Sequence, residues 1–177
     1  MRRVVRPVLI VVIGLGAAFG VFRALGWPST LEGPGLTDVA GFGRVEAGEL
    51  LHAGLGPFVV NGSRGVEITA VRAELSPGID LESIRLSVVN DPGFVAVGAL
   101  RGPNEEIDRL PGASGTTLRP GQTAFLVLSF RVVSPGEYRI PGVQVSYSSG
   151  WIRRTKILGP TVTAEMVPTA TPSPSPT

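Results

Sequence analysis

Apolar and polar residues alternate with the period of a β-strand in the second half of the chain. Over Gln122–Val133 one parity is apolar and the other carries Ser129 and Arg131, which predicts a strand with one face on a core. The apolar set is Ala124, Leu126, Leu128, Phe130 and Val132. Because Ser134–Gly136 has the composition of a tight turn, we expect Thr116–Tyr147 to form two long strands that pair as a hairpin at the centre of a β-sandwich.

A tyrosine stands at the start of the second of these strands. Tyr138 follows Gly136-Glu137, as in the tyrosine corner of immunoglobulin-like sandwiches, where the tyrosine hydroxyl bonds to backbone a few residues upstream. We therefore predict a hydrogen bond from the Tyr138 hydroxyl to backbone near the turn.

Turn residues divide the rest of residues 48–167 into further short strands. Asn61-Gly62 is the preferred pair of a two-residue hairpin turn, so the apolar runs on either side are expected to pair with each other. With Ser63 it also matches an N-glycosylation site. Pro141-Gly142 and Gly159-Pro160 interrupt the last two strands, since proline cannot donate to a strand ladder. The pattern predicts an all-β fold, a single immunoglobulin-like antiparallel β-sandwich of about seven to nine strands.

The N-terminal segment is long and apolar enough to cross a membrane. Residues 7–27 carry one charged side chain, Arg23, and have about the 20 residues that a membrane helix needs. Three arginines lie within residues 1–6, so the positive-inside rule places these residues in the cytoplasm and the chain from residue 28 outside. We expect a single-pass cell-membrane protein with an uncleaved signal-anchor helix; the alternative, a cleavable signal peptide, leads to the same extracytoplasmic compartment.

The segments that flank the predicted sandwich show no sustained periodicity. Residues 28–47 are rich in glycine and proline, which predicts a spacer between the membrane and the folded domain. Residues 168–177, PTATPSPSPT, predict an extended or disordered tail, and their composition is also typical of O-glycosylated stalks.

Composition and charge exclude several classes of function. The chain has no cysteine, which excludes disulfides, zinc–thiolate sites and thiol nucleophiles. The net charge of +2 arises in the N-terminal segment, because 12 basic and 14 acidic residues remain when its four arginines are set aside. A nucleic-acid-binding module needs a concentrated basic face, so we expect no nucleic-acid partner, and no motif indicates a cofactor.

Few side chains in the predicted sandwich could carry chemistry. His52 is the single histidine, and since a metal site would need further histidine or cysteine ligands, we expect it at the surface or at a strand edge. The longest polar interruption, Arg101–Gly115, contains Glu105, Glu106 and Asp108, whose carboxylates could bind Ca²⁺ or a partner. Their spacing is not that of an EF-hand, which favours a solvated acidic loop.

Three apolar residues lie on or beside the outward parity of the central strand. Phe125, Val127 and Val133 would be exposed if nothing covered that face of the sheet. They either form a surface for a partner or pack beneath a neighbouring strand, and the pattern favours packing.

Three stretches resemble the immunoglobulin-like domains of bacterial envelope proteins. They are Asn61-Gly62-Ser63 followed by Val66-x-Ile68-x-x-Val71, then Leu118-x-Pro120-Gly121, then Pro135 to Tyr147. The second half is also similar to the membrane-anchored periplasmic BatD family, which differs in having repeated domains. The resemblance covers about residues 48–166 and implies a β-sandwich in the cell envelope, and it transfers no functional residue.

These features predict a non-enzymatic, membrane-anchored, extracytoplasmic domain that binds or scaffolds another envelope protein. An envelope hydrolase is one alternative, although no serine lies in a G-x-S-x-G elbow or an S-x-x-K pair. A carbohydrate- or Ca²⁺-binding surface module that uses the Arg101–Gly115 loop is the other.

Overall fold

The computed structural model describes residues 28–33, 39–91, 93 and 98–167, and the structural statements below concern these residues. They form twelve strands and one short helix, α1 (Glu105–Arg109). The strands are β1 (Thr30–Glu32), β2 (Val39–Val45), β3 (Leu50–Asn61), β4 (Val66–Ala73), β5 (Ile79–Val88), β6 (Ala99–Arg101), β7 (Thr117–Leu118), β8 (Thr123–Val132), β9 (Gly136–Ile140), β10 (Val143–Ser149), β11 (Ile152–Leu158) and β12 (Thr161–Met166). None of the described helical residues form a helix long and apolar enough to span a membrane, and the predicted span 7–27 and tail 168–177 lie outside these ranges.

The strands form two layers. One layer is the sheet β1-β3-β8-β5, in which β3 also pairs with β6. The other layer contains the sheets β11-β10-β4-β7 and β2-β12-β9. β9 and β10 are consecutive parts of one long strand, and β11 and β12 are consecutive parts of the next. The two breaks lie at Pro141-Gly142 and Gly159-Pro160, as the sequence predicts.

The strand order is that of an immunoglobulin-like sandwich. In that fold one sheet has the order A-B-E-D and the other contains C, F and G, and these places are taken by β1-β3-β8-β5 and by β4, β9/β10 and β11/β12. The predicted all-β, immunoglobulin-like fold is confirmed, with two corrections. β2 runs parallel to β12, so the sandwich is not wholly antiparallel. The described residues form twelve strands instead of seven to nine, because two long strands are each divided in two and residues 28–47 add β1 and β2.

The core lies between the layers and is built on the parity that the alternation predicts. Ala124, Leu126, Leu128, Phe130 and Val132 of β8 are each at most 1% exposed. The ring of Phe130 packs edge-to-face on that of Phe42 in β2, with centroids 5.7 Å apart. Because burying a leucine or phenylalanine side chain contributes about 2 kcal/mol to folding, β8 is a main source of stability.

The turn between β8 and β9 carries the chain from one layer to the other, and the predicted pairing of these two strands is wrong. β8 already pairs with β3 on one edge and β5 on the other, so β9 pairs with β12 instead. The Tyr138 hydroxyl donates to the Ser134 carbonyl at 2.6 Å, which confirms the predicted tyrosine corner. Gly78 leaves room for this ring, because a Cβ at residue 78 would lie 2.5 Å from the Tyr138 hydroxyl oxygen.

Asn61-Gly62 does not form the predicted hairpin. β3 pairs with β1, β6 and β8, whereas β4 pairs with β10 and β7, so the strands on either side of this turn lie in different layers. A type I′ turn needs positive φ at both central residues, and within the described ranges Asn90 is the only non-glycine residue with positive φ. Gly62, with φ of 129°, lies against Ser29 where the chain crosses between the layers.

The prediction of a spacer over residues 28–47 is also wrong, because this stretch contains two strands of the sandwich. β1 pairs with β3, and β2 pairs with β12. Leu31 is fully buried, and Phe42 and Val45 are each 6% exposed. Few of the described side chains in this stretch reach the core, so the sequence shows no strand period. The strands that pair with β1 and β2 also lie far along the chain.

The tyrosine corner predicts a difference between the two tyrosines of the chain. Tyr138→Phe removes the 2.6 Å bond to Ser134, and we expect the free energy of unfolding to fall by about 1 kcal/mol. Tyr147→Phe is the matched control, and it should cost less because its hydroxyl lies 3.4 Å from the Leu31 amide. Urea unfolding of both variants measures the two losses, and an equal or larger loss for Tyr147→Phe would contradict this role of the corner.

Candidate partner-binding surfaces

The Arg101–Gly115 segment packs on the outer face of the first sheet. Asn104 caps α1, because its side-chain oxygen accepts hydrogen bonds from two backbone amides of the first turn at 3.0 and 3.1 Å. Ile107 and Leu110 are buried in a cluster with Val127 of β8. The segment therefore covers the sheet, and it is not the open polar loop that the sequence indicates.

The same segment continues along the outer edge of β5. The Leu86 amide donates to the Pro111 carbonyl at 2.9 Å, and the Ala113 amide donates to the Ile84 carbonyl at 3.2 Å. These bonds use backbone groups of β5 that would otherwise face solvent. Part of this edge is consequently closed to another strand.

His52 joins β3 to this cover. Its side chain is 1% exposed, with Nε2 at 3.0 Å from the Gly102 carbonyl oxygen and Nδ1 at 2.8 Å from Ser129 Oγ. Because a carbonyl oxygen can only accept a hydrogen bond, Nε2 carries the hydrogen and donates a hydrogen bond to the Gly102 carbonyl. The expectation of a surface or edge histidine is wrong, since the chain after β6 closes over this position.

The acidic residues of the segment do not converge on a metal site. Glu105, Glu106 and Asp108 are exposed, and Glu105 pairs with Arg109 one helical turn away at 2.9 Å. Among the residues that the structure describes, no group of three His, Cys, Asp or Glu side chains could hold a metal ion. The geometry agrees with a solvated acidic stretch, and a role in binding a partner stays a prediction.

Phe125, Val127 and Val133 do not form one surface. Val127 is fully buried beneath α1. It therefore packs inside the domain, as the pattern favours, but its neighbour is a helix and not the expected strand. Phe125 is half-buried against Gly56 of β3. Val133 is 45% exposed and lines a groove with Val167. This groove is at the same end of the sandwich as the tyrosine corner.

β11 presents a run of exposed, mostly basic side chains. These are Arg153, Arg154, Thr155, Lys156 and Ile157. One edge of β11 pairs with β10, and no strand within the described residues pairs with the other edge. Neither arginine forms an ion pair with another described residue. Because the run has no alternating pattern, the sequence predicts a strand here but not its place in the sheet. Consecutive charges are nevertheless typical of an exposed edge strand.

A groove of 460 Å³ separates β11 from β1. Its lining includes Glu32 on the β1 side and Arg154 and Thr155 on the β11 side. Lys156 spans the groove, and its Nζ donates to the Leu31 carbonyl at 3.0 Å. This bond ties the edges of the two layers together and fixes β11 beside β1.

Comparison with known proteins shows no family model and no curated protein that matches the chain. Three solved structures are similar in part. A family 123 glycoside hydrolase from Clostridium perfringens has a TM-score of 0.44 at 10% identity, and the match covers 84% of this chain and 29% of the hydrolase. A non-cellulosomal cohesin from Archaeoglobus fulgidus has 0.34 at 11%, covering 80% and 93% of the two chains. The CooA pilin subunit from enterotoxigenic Escherichia coli has 0.36 at 12%, covering 80% and 100%.

The burial of Val127 predicts that a charge at residue 127 destabilises the domain much more than the same charge at Val133, the other valine of the outward parity. Val127→Asp places a carboxylate beneath α1, and we expect the free energy of unfolding to fall by about 3 kcal/mol or more. Val133→Asp is the matched control, and because this side chain is 45% exposed the change should stay within about 0.5 kcal/mol. Urea unfolding decides between them, and tolerance of Asp at residue 127 would show that the segment does not cover the sheet.

Proposed function

We propose that the chain is a non-enzymatic, membrane-anchored, extracytoplasmic immunoglobulin-like domain that binds or scaffolds another protein of the cell envelope, and that β11 is its binding edge. The observation that carries this proposal is the unpaired edge of β11, seven residues long, with Arg153 and Arg154 exposed and without ion pairs among the described residues. An acidic, extended segment of a partner is the chemistry that this edge fits.

An unpaired strand edge binds through backbone as well as side chains. Its N–H and C=O groups can pair with an extended segment of another protein, which is the basis of β-strand addition. Arg153 and Arg154 would select a partner with carboxylates at matching positions, and charge complementarity of this kind mainly raises specificity and the association rate. Ile157, 50% exposed on the same strand, adds apolar contact area.

Two other sheet edges are less open. The β5 edge is partly closed by residues 111–113, as described above. Along β2, the Arg101 guanidinium donates to the carbonyl oxygens of Phe42 and Arg44, so acceptors that a partner strand would need are already used. Along the seven residues of β11, no strand of the described part of the chain pairs with the outer edge.

The non-enzymatic part of the proposal is supported by the state of the single histidine. His52 is buried, and both ring nitrogens are engaged with Ser129 and Gly102, so this side chain is used to hold the cover on the sheet. The absence of cysteine from the sequence removes thiol catalysis. Turnover of cell-wall or ester substrates by the purified protein would contradict this part of the proposal.

The membrane part is supported by the sequence of residues 7–27 and the arginines that precede it. The immunoglobulin-like domain begins at residue 30 and would lie outside the membrane under the positive-inside rule. Resistance of the full-length chain to alkaline extraction from membranes tests anchoring, and protease digestion of the domain in intact spheroplasts tests its side.

The binding edge predicts that charge reversal on β11 abolishes capture of a specific partner. In crosslinking of tagged full-length protein in native membranes, Arg153→Glu/Arg154→Glu should lose the dominant partner, and affinity for that partner should fall about tenfold or more because two cations are reversed. Arg72→Glu/Arg119→Glu is the matched control, since both arginines are exposed but lie on β4 and before β8. Equal capture by both double variants would contradict the binding edge. The arginines of β11 would then serve to protect the sheet from edge-to-edge aggregation.

A further inference from the structure

One end of the sandwich brings together the start of the folded chain and an exposed tryptophan. We call it the Ser29 end, and it consists of Ser29, Arg64 and the turn Ser149–Trp151. Ser29 is fully buried; its amide donates to Ser149 Oγ at 2.8 Å, its hydroxyl donates to the Arg64 carbonyl at 2.6 Å, and it accepts from the Arg64 amide at 3.0 Å. These bonds hold the first residues of the domain directly beside the β10–β11 turn.

The predicted membrane span ends immediately before this end. Trp27 closes the span in sequence, and Ser29 follows two residues later. Two residues reach at most about 7 Å, and the headgroup layer on each side of a bilayer is roughly 5–8 Å thick. Since the expected spacer is instead part of the sandwich, the Ser29 end must lie in or directly above the headgroups if residues 7–27 span the membrane. This step rests on the membrane anchoring proposed above.

The tryptophan and the arginine of the Ser29 end suit such a position. Trp151 is 75% exposed at the tip of the β10–β11 turn. The Arg64 guanidinium lies against Gly150, because a Cβ at that glycine would come within 2.5 Å of Arg64 Nη1. Arg153 is exposed two residues after the tryptophan. Glu67 and Arg153 both lie opposite Ser148 of β10, so their Cα atoms are about 10 Å apart.

Tryptophan and arginine together favour a lipid surface over water at this place. Tryptophan is enriched at membrane–water interfaces because its ring is apolar and its N–H is polar. Basic side chains close to a bilayer are attracted to anionic phospholipids. Arg64 forms no ion pair with another described residue, so its guanidinium remains available to phosphate groups.

We infer that the Ser29 end rests on the anionic phospholipid headgroups of the membrane, with Trp151 at headgroup level and Arg64 beside phosphates. The sandwich then stands upright. The opposite end, which carries Val133 and Val167, lies about 40 Å further out, given the twelve residues of β3. The edge of β11 runs outward from the membrane and stays accessible to a protein partner.

The chain contains a built-in probe for this arrangement. It has two tryptophans, so Trp27→Phe leaves Trp151 as the only one. The full-length variant is reconstituted into phosphatidylcholine vesicles with and without phosphatidylglycerol, and lipids brominated near the headgroup end of the acyl chain serve as quenchers. We expect the emission of Trp151 to be blue-shifted and quenched by the brominated lipids, most strongly with phosphatidylglycerol present.

Two variants control the experiment. Adding Arg64→Glu should relieve the quenching and shift the emission to the red, while urea unfolding confirms that the domain stays folded. Trp27→Phe/Trp151→Phe/Val167→Trp moves the probe to the opposite end, where residue 167 is 46% exposed, and its emission should not be quenched.

The outcomes separate this inference from the proposed function. A chain that resists alkaline extraction but shows no quenching of Trp151 overturns the inference and leaves the anchoring intact, whereas a chain that is extracted overturns both. Quenching at residues 151 and 167 alike would mean that the sandwich lies flat, which also overturns it. A Trp151→Cys variant whose thiol is shielded from a water-soluble maleimide in native membranes, but not in vesicles that contain this chain alone, would assign this end to a protein and overturn the lipid contact.

Discussion

Strand β8 is enclosed on both edges and both faces, and the rest of the fold is arranged around that enclosure. Its edges pair with β3 and β5, its inner parity fills the core, and Val127 on its outer parity lies beneath α1. A strand without an open edge cannot pair with the segment that follows it. The chain therefore crosses to the other layer at the Tyr138 corner. The last long hairpin, in which β9 and β10 pair with β12 and β11, forms in that second layer. In the described part of the chain, this arrangement leaves β11 with one unpaired edge.

Local chemistry was sufficient to predict some of these features from the sequence. The inward parity of β8, the tyrosine corner and the breaks at Pro141-Gly142 and Gly159-Pro160 each depend on a residue and its immediate neighbours, so they could be derived without knowing the fold. The positions of β1 and β2 could not, because Leu31 and Phe42 are buried by strands far along the chain. Asn61-Gly62 failed for a related reason: its preference for a tight turn does not say to which sheet the next strand belongs.

The candidate surfaces were harder to predict than the core. In the Arg101–Gly115 segment, Asn104 before Glu105 and Glu106 is a signal for a helix start. Ile107 and Leu110, three residues apart, could have indicated an amphipathic turn that packs on a sheet. His52 gave no such signal, because the Gly102 carbonyl that accepts its hydrogen bond is fifty residues away. For β11, exposure follows from its place in the sheet order, and sequence periodicity alone cannot separate an edge strand from a poorly patterned central one.

The parallel pairing of β2 with β12 gives the domain a mechanical character. The chain enters near Ser29 at one end, and β12 leads to Val167 at the other. A force pulling these two points apart would draw β2 toward one end and β12 toward the other, along the strand axis. The hydrogen bonds between them, from Thr161 opposite Val39 to Met166 opposite Val45, would then be loaded together in shear instead of opening one after another. A sandwich joined in this way resists stretching along its length better than peeling from its side.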